Sequence, residues 1–254
     1  MKKLLPTLIL GCLFFITSCQ TFTSTPEPSF LPTETFPASP TPIPASPTPE
    51  PTLTPEATPT PLPRHFTDQF DSSPAGWTIL QAGNEAAPTI STENGTLRLQ
   101  MDAPYTWLYA VYSPFDYADV YIETEFVNSA LTPASVGLIC RYSETDGWLE
   151  YNVSTDGAYN VLYGQWLDTG VADYLPILDG VSGQVKQSGE VQQIGLDCSG
   201  ITLRLYIDGV IVRSVDVSSY ELGAGKAGIT AASYGNTPVV VVFDSVTVSE
   251  SLFP

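Results

Sequence analysis

From Ser135 to Tyr163 the chain reads SVGLICRYSETDGWLEYNVSTDGAYNVLY, with Asp-Gly steps at Asp146-Gly147 and Asp156-Gly157. Apolar and polar residues alternate on both sides of each step. That period of two marks half-buried antiparallel strands, and Asp-Gly is a strong reversal signal. The register of the second reversal follows by counting. A two-residue turn at Asp156-Gly157 sets Val153 against Asn160 and Tyr151 against Leu162, mixing apolar with polar. A three-residue loop, Thr155-Asp156-Gly157, instead pairs Val153 with Tyr159, Tyr151 with Val161 and Leu149 with Tyr163. This gives one coherent apolar face, and Gly157 suits the left-handed loop position. The opposite face then carries Trp148, Glu150, Asn152 and Asn160.

The pattern extends over the rest of the C-terminal part. WTIL after Gly76, the Leu97/Leu99/Met101 alternation after Glu93-Asn94-Gly95, Trp107–Tyr112, Val120–Val127, Lys226–Ser233 and Pro238–Val248 all read as strands. The run VVVVFDSVTV reads as buried on both faces at its start. Ile201–Val215 predicts a hairpin with a two-residue Asp208-Gly209 turn, in which Ile207 meets Val210, Leu205 meets Val212 and Arg204 stands opposite Arg213. No stretch longer than a turn has helical apolar spacing. The predicted fold is all-β, a two-sheet antiparallel β-sandwich over residues 65–254.

Cys140 shares a strand side with Val136, Leu138 and Tyr142, and Cys198 shares one with Ile194 and Leu196, so both point into the interior. Outside the cytoplasm such a pair is expected to form a disulfide. Closing a loop of that length adds about 4 kcal/mol in the chain-entropy model.

The N-terminal quarter is different. Residues 1–18, MKKLLPTLILGCLFFITS, have two lysines, an apolar run and small residues, the pattern of a secretory leader. ITSC ahead of position 19 resembles the bacterial lipoprotein signal, which implies cleavage before Cys19 and acylation (palmitate or similar chains) of that cysteine. Several acyl chains on one residue give stable anchoring. The implied location is the extracytoplasmic side of the cell membrane or outer membrane. Residues 19–64 then form a Thr/Pro-rich linker. Of 23 prolines, 14 lie between Pro26 and Pro63, which favours a disordered, extended polyproline stalk and excludes packed structure there.

The net charge of −18 argues against nucleic acid as a partner. The single histidine, His65, excludes a His-rich metal centre.

HFTDQFD, NGTLRL, VGLICRY, GWLEYNVSTDGAYNVL, LRLYIDG, GKAGI and VVVFDSVTV together resemble the concanavalin A-like lectin/glucanase superfamily, and more narrowly the jelly-roll domains of bacterial surface lipoproteins, over Phe66–Glu250. The resemblance implies a jelly roll with carbohydrate bound on one sheet or its rim. Laminarinase-type members use Glu-x-Asp-x-x-Glu. The nearest match places Glu123, Glu125 and Asn128 at the three positions, so the acid/base carboxylate is missing and the two glutamates read as solvated strand residues. No catalytic residue is assigned and no enzyme activity is expected. Many such modules also hold a structural calcium between first and last strands, for which Asp68 or Asp71 with Asp244 would supply hard oxygen ligands.

Sugar recognition needs flat aromatic surface beside planar hydrogen-bonding groups. The face bearing Trp148, Glu150, Asn152 and Asn160, followed by Trp166 and with Arg141 pointing the same way, meets that description. Two plainer readings stand beside it: Arg141 pairs with Asp197 next to the disulfide, and Trp148 caps the sandwich edge. Tyr105, Trp107, Tyr109 and Tyr112 form a second aromatic group, read as core and rim packing. The favoured function is a membrane-anchored module binding glycan or another cell-wall polymer. A glycoside hydrolase-like enzyme and a spacer or adhesion domain are the alternatives.

Overall fold

The computed structural model describes residues 61–72, 75–167 and 170–253. The leader, Cys19 and the linker up to residue 60 lie outside the described residues. The strands are β1 (Phe66–Asp68), β2 (Trp77–Gly83), β3 (Thr89–Glu93), β4 (Thr96–Met101), β5 (Thr106–Tyr117), β6 (Val120–Asn128), β7 (Ala134–Ser143), β8 (Gly147–Ser154), β9 (Ala158–Trp166), β10 (Ala172–Val181), β11 (Val191–Ser199), β12 (Thr202–Ile207), β13 (Val210–Asp216), β14 (Gly225–Ser233) and β15 (Val239–Ser249). The one helical element among the described residues is a 3-10 turn at Ser218–Tyr220.

All pairings are antiparallel and build two sheets. The eight-stranded sheet runs β13-β12-β11-β6-β15-β4-β3, with β1 on the C-terminal half of β15. The seven-stranded sheet runs β10-β9-β8-β7-β14-β5-β2. Local hairpins alternate with distant partners such as β5–β14 and β6–β15, so strands from both ends of the domain interleave. The sheets pack face to face over Leu97, Leu108, Ile122, Phe126, Leu138, Tyr151, Leu196 and Phe243, all buried. Burial of such apolar surface is the main stabilising term.

Turn chemistry accounts for the reversals. Asn94-Gly95 and Asp208-Gly209 both have positive φ at each central residue (53° and 73°; 47° and 73°), the type I′ geometry that matches strand twist. At the β8–β9 reversal Val153 pairs with Tyr159, Tyr151 with Val161 and Leu149 with Tyr163, with Gly157 at φ 103°. The three-residue loop is therefore the one formed. Val239, Val240 and Val241 are buried at the start of β15, as the valine run implies.

Cys140 and Cys198 are bonded, joining β7 of one sheet to β11 of the other across the core. This placement corrects the Arg141–Asp197 pairing. The two cysteines sit in opposite layers, so their outward neighbours diverge. Arg141 lies near Asp119 (3.7 Å) and donates to the carbonyls of Ala118, Gly200 and Leu222. Asp197, fully buried, accepts from Ser251 Oγ and the Leu252 amide and lies 3.8 Å from Arg204 Nη1.

In the β12–β13 hairpin Ile207 does meet Val210, but the register shifts between Leu205 and Tyr206. Leu205 therefore opposes Arg213 and Arg204 opposes Ser214. The bulge separates the two arginines, a like-charge pair that a regular ladder would hold together.

The domain's packed structure begins before His65. Tyr112 and Tyr117 hydroxyls donate to the carbonyls of Pro63 and Arg64 (2.7 Å each). The Arg64 guanidinium lies over the Phe115 and Tyr117 rings, at 5.6 and 4.9 Å. Burial pushes the Tyr117 hydroxyl up to about 12, so it remains a neutral donor.

Candidate functional site

The outer face of the seven-stranded sheet carries a second apolar cluster, separate from the sandwich core. Ala82, Tyr109, Val111, Ile139, Tyr142 and Trp148 are buried there, with Leu80, Trp107, Trp166 and Tyr174 packed against them. Tyr142 belongs to this cluster because of a bulge. The β7–β8 register shifts between Cys140 and Ser143, and Arg141 takes φ 55°. The extra residue reverses the alternation, so Tyr142 leaves the Cys140 side where a regular strand would hold it. The same bulge turns Arg141 towards Ala118, Gly200 and Leu222, away from Trp148, and so corrects its placement on this face.

Trp148, expected on an exposed face, is fully buried. Its ring packs on Trp166 (centroids 5.3 Å apart), Tyr142 (5.4 Å), Tyr109 (5.6 Å) and Tyr174 (6.0 Å). Gly164, directly opposite on β9, makes the room: a Cβ there would stand 2.3 Å from the indole. The indole N–H donates to Glu150 Oε2 (2.9 Å), and Asn152 Nδ2 donates to Glu150 Oε1 (2.9 Å) and to Asn160 Oδ1 (3.3 Å). Thr230 Oγ1 donates to Asn152 Oδ1 (3.2 Å). The Tyr109 and Tyr174 hydroxyls share a further hydrogen bond.

Burial pushes the Glu150 carboxyl above the ordinary carboxylate range, and the bonds from Trp148, Asn152 and Thr230 oppose this without reversing it. Burial first, and then proximity to Glu150, also raises Tyr109 and Tyr174, which remain neutral.

The open part of this face lies beside the buried cluster. A groove of about 380 Å³ is lined by Thr78, Leu80, Val111, Ser113, Asp116, Tyr142, Ser143, Glu144 and Gly225–Lys226. A second hollow of about 340 Å³ shares Leu80, Tyr142 and Glu144 and adds Gln81 and Trp166. Trp166 is half-buried, and its indole N–H donates to the Tyr142 hydroxyl at 2.9 Å, which fixes the ring. Lys226 Nζ lies 2.8 Å from Asp116 Oδ1, and Thr78 and Ser113 hydroxyls are bonded at 2.6 Å. A fixed, partly exposed aromatic ring between apolar and hydrogen-bonding side chains can stack an apolar sugar face and meet its hydroxyls.

Of the six residues expected to bind, Trp148, Glu150, Asn152, Asn160 and Trp166 do share this face, and Arg141 does not. Trp166 and Asn160 keep partial exposure, while the other three form the buried floor. Leu80, Tyr142 and Glu144 were not singled out as binding residues. In WTIL two apolar residues, Ile79 and Leu80, follow one another, so periodicity left the facing of Leu80 undecided, and Tyr142 needed the bulge. Within the second aromatic group, Tyr109 belongs to this floor, Tyr112 to the sandwich core, and Tyr105 is 59% exposed at the rim.

Glu123 and Glu125 lie on the other sheet, in β6, half-exposed; Glu123 accepts from the Tyr121 hydroxyl. Asn128 is buried and donates to the Thr132 carbonyl, Thr155 Oγ1 and Ser188 Oγ, organising a loop. Asp68 spends its carboxylate on the Phe70 amide (2.8 Å) and the Trp77 indole (2.9 Å), and Asp71 and Asp244 are exposed. Among the described residues no three His, Cys, Asp or Glu side chains converge as metal ligands would.

No protein-family model and no curated protein sequence matches the chain. Solved structures do. The β-glucanase of Bacillus licheniformis is 13% identical, with a TM-score of 0.52 over 73% of this chain and 98% of that one. A carbohydrate-binding module from Bacillus subtilis is 15% identical, with a TM-score of 0.50 over 69% and 96%. A Bacillus subtilis protein of unknown function with a galectin-like fold is 11% identical, with a TM-score of 0.53 over 73% and 95%. The fold is a concanavalin A-like jelly roll. At these identities the likeness speaks for architecture alone, and the same architecture hosts unrelated activities.

Proposed function

We propose that the jelly roll is a non-catalytic carbohydrate-binding module, displayed outside the cell through a lipid on Cys19 and the Thr/Pro-rich linker. The observation that carries the reading is the hollow lined by the Trp166 ring, held by Tyr142, together with Leu80, Gln81 and Glu144, which adjoins the groove that Lys226 lines. The neighbours of like fold, a β-glucanase and a carbohydrate-binding module among them, support carbohydrate as the ligand class. Hydrolysis by acid and base needs two carboxylates flanking one bond. The buried Glu150 is bracketed by the Trp148 indole and the Asn152 amide instead, which favours binding over cleavage.

Affinity electrophoresis against a polysaccharide panel tests the reading. At least one glycan is expected to retard the protein. Trp166→Ala is expected to weaken that binding roughly tenfold, the loss of about 1.4 kcal/mol of stacking. Retardation by no glycan, or release of reducing sugar lost on Glu150→Gln, would overturn it. Metabolic labelling with palmitate tests the anchor: the native chain incorporates the label, and Cys19→Ala does not.

A further inference from the structure

Lys226 is the one basic residue lining the groove among the described residues, and its ammonium is held 2.8 Å from Asp116. Glu144 borders both hollows, so the groove is lined by two carboxylates and one ammonium, the latter already paired with Asp116. The other cations of the folded part are committed elsewhere. Arg141 donates to three carbonyls at the end of the sandwich, Lys186 lies 2.9 Å from Asp208, and Arg204 neighbours Asp197. Arg98 and Arg213 belong to β4 and β13 of the opposite sheet. Arg64 stacks on Phe115 and Tyr117, and its Nη2 donates to the Asp116 carbonyl (2.7 Å).

Carboxylate, sulfate and phosphate groups are recognised through charge-assisted bonds from Arg or Lys, often bidentate. This face offers no uncommitted partner of that kind, and the chain's net charge of −18 adds a repulsive field. Uncharged hydroxyls and ring faces meet no such penalty. We infer that the groove takes an uncharged polysaccharide and turns away polyanionic ones, whether uronate, sulfated or phosphate-bearing. The inference rests on the reading of this groove as a glycan site, and it narrows the choice between neutral glycans and anionic wall polymers.

Calorimetric titration of the full-length chain in detergent provides the test, with β-glucan and mannan as neutral probes and polygalacturonate as the anionic one. A neutral chain is expected to bind, and polygalacturonate to bind at least about tenfold more weakly. Asp116→Asn, which releases Lys226, is expected to shift the ratio severalfold towards polygalacturonate, and added salt is expected to abolish that shift. Polygalacturonate binding as tight as the neutral chains, and lost on Lys226→Gln, would overturn the inference while leaving the glycan site in place. Binding to neither class would overturn both.

Discussion

Glu150 shows how one carboxyl can be placed in a protein interior without a cation. Its two oxygens accept from Trp148 and Asn152, and the groups that face it from neighbouring strands, Tyr109, Tyr174 and Thr230, are neutral. A carboxyl whose folded-state pKa is raised favours the fold while protonated. Its contribution is complete below the unfolded value, near 4.5, and is lost as pH climbs through the higher folded value. The wild-type protein is therefore expected to lose stability as pH rises above that point, and Glu150→Gln to flatten the slope. Urea midpoints measured from pH 4 to pH 9 check this, and an unchanged slope in the variant would count against a raised Glu150. At this scale the sequence identified the right neighbours but not their exposure. Alternation assigns Trp148, Glu150 and Asn152 to one side of β8 without saying what covers that side.

The cover comes from an element that alternation hides. β10 carries Tyr174, which packs on Trp148 and bonds Tyr109, but its sequence ADYLPILDGV contains Pro176. Proline removes a ladder donor and argues against a central strand. β10 escapes that objection by lying at the sheet edge with its register shifted between Pro176 and Leu178. Bulges explain the other departures in the same way. Single extra residues at Arg141 and near Val212 reverse which side later residues face, and neither announces itself in residue type. By contrast, the β8–β9 register was legible because only one pairing gathers the apolar residues.

The same elements supply a test of packing. Gly137 and Gly164 face the floor of the outer cluster, where a Cβ would stand 2.1 Å from Asn152 Oδ1 or 2.3 Å from the Trp148 indole. Gly164→Ala and Gly137→Ala are each expected to cost about 1–3 kcal/mol, read as a lowered urea midpoint. Gly183→Ala, with open space around it, is the control and is expected to change little.

For the molecule as a whole, the fold class was readable because strand periodicity and turn chemistry agree along the domain. The groove was less readable, since its lining comes from β2, β5, β7, β9 and β14, which only the completed sheet brings together. The disulfide belongs to this scale too, because it ties the two layers over a sequence separation of 58. Cys140→Ser with Cys198→Ser is expected to lower unfolding free energy by about 4 kcal/mol, measured by denaturant titration against the oxidised wild type. A loss well under 1 kcal/mol would mean that the unfolded chain gains little freedom from the cut.

The tyrosines that grip Pro63 and Arg64 extend the packed domain upstream of its first strand. Because those carbonyls are fastened to β5, whose residues also line the groove, the chain enters the domain through a stiff collar rather than a swivel. Pro63 and Arg64 thus keep a fixed place beside a strand that lines the groove.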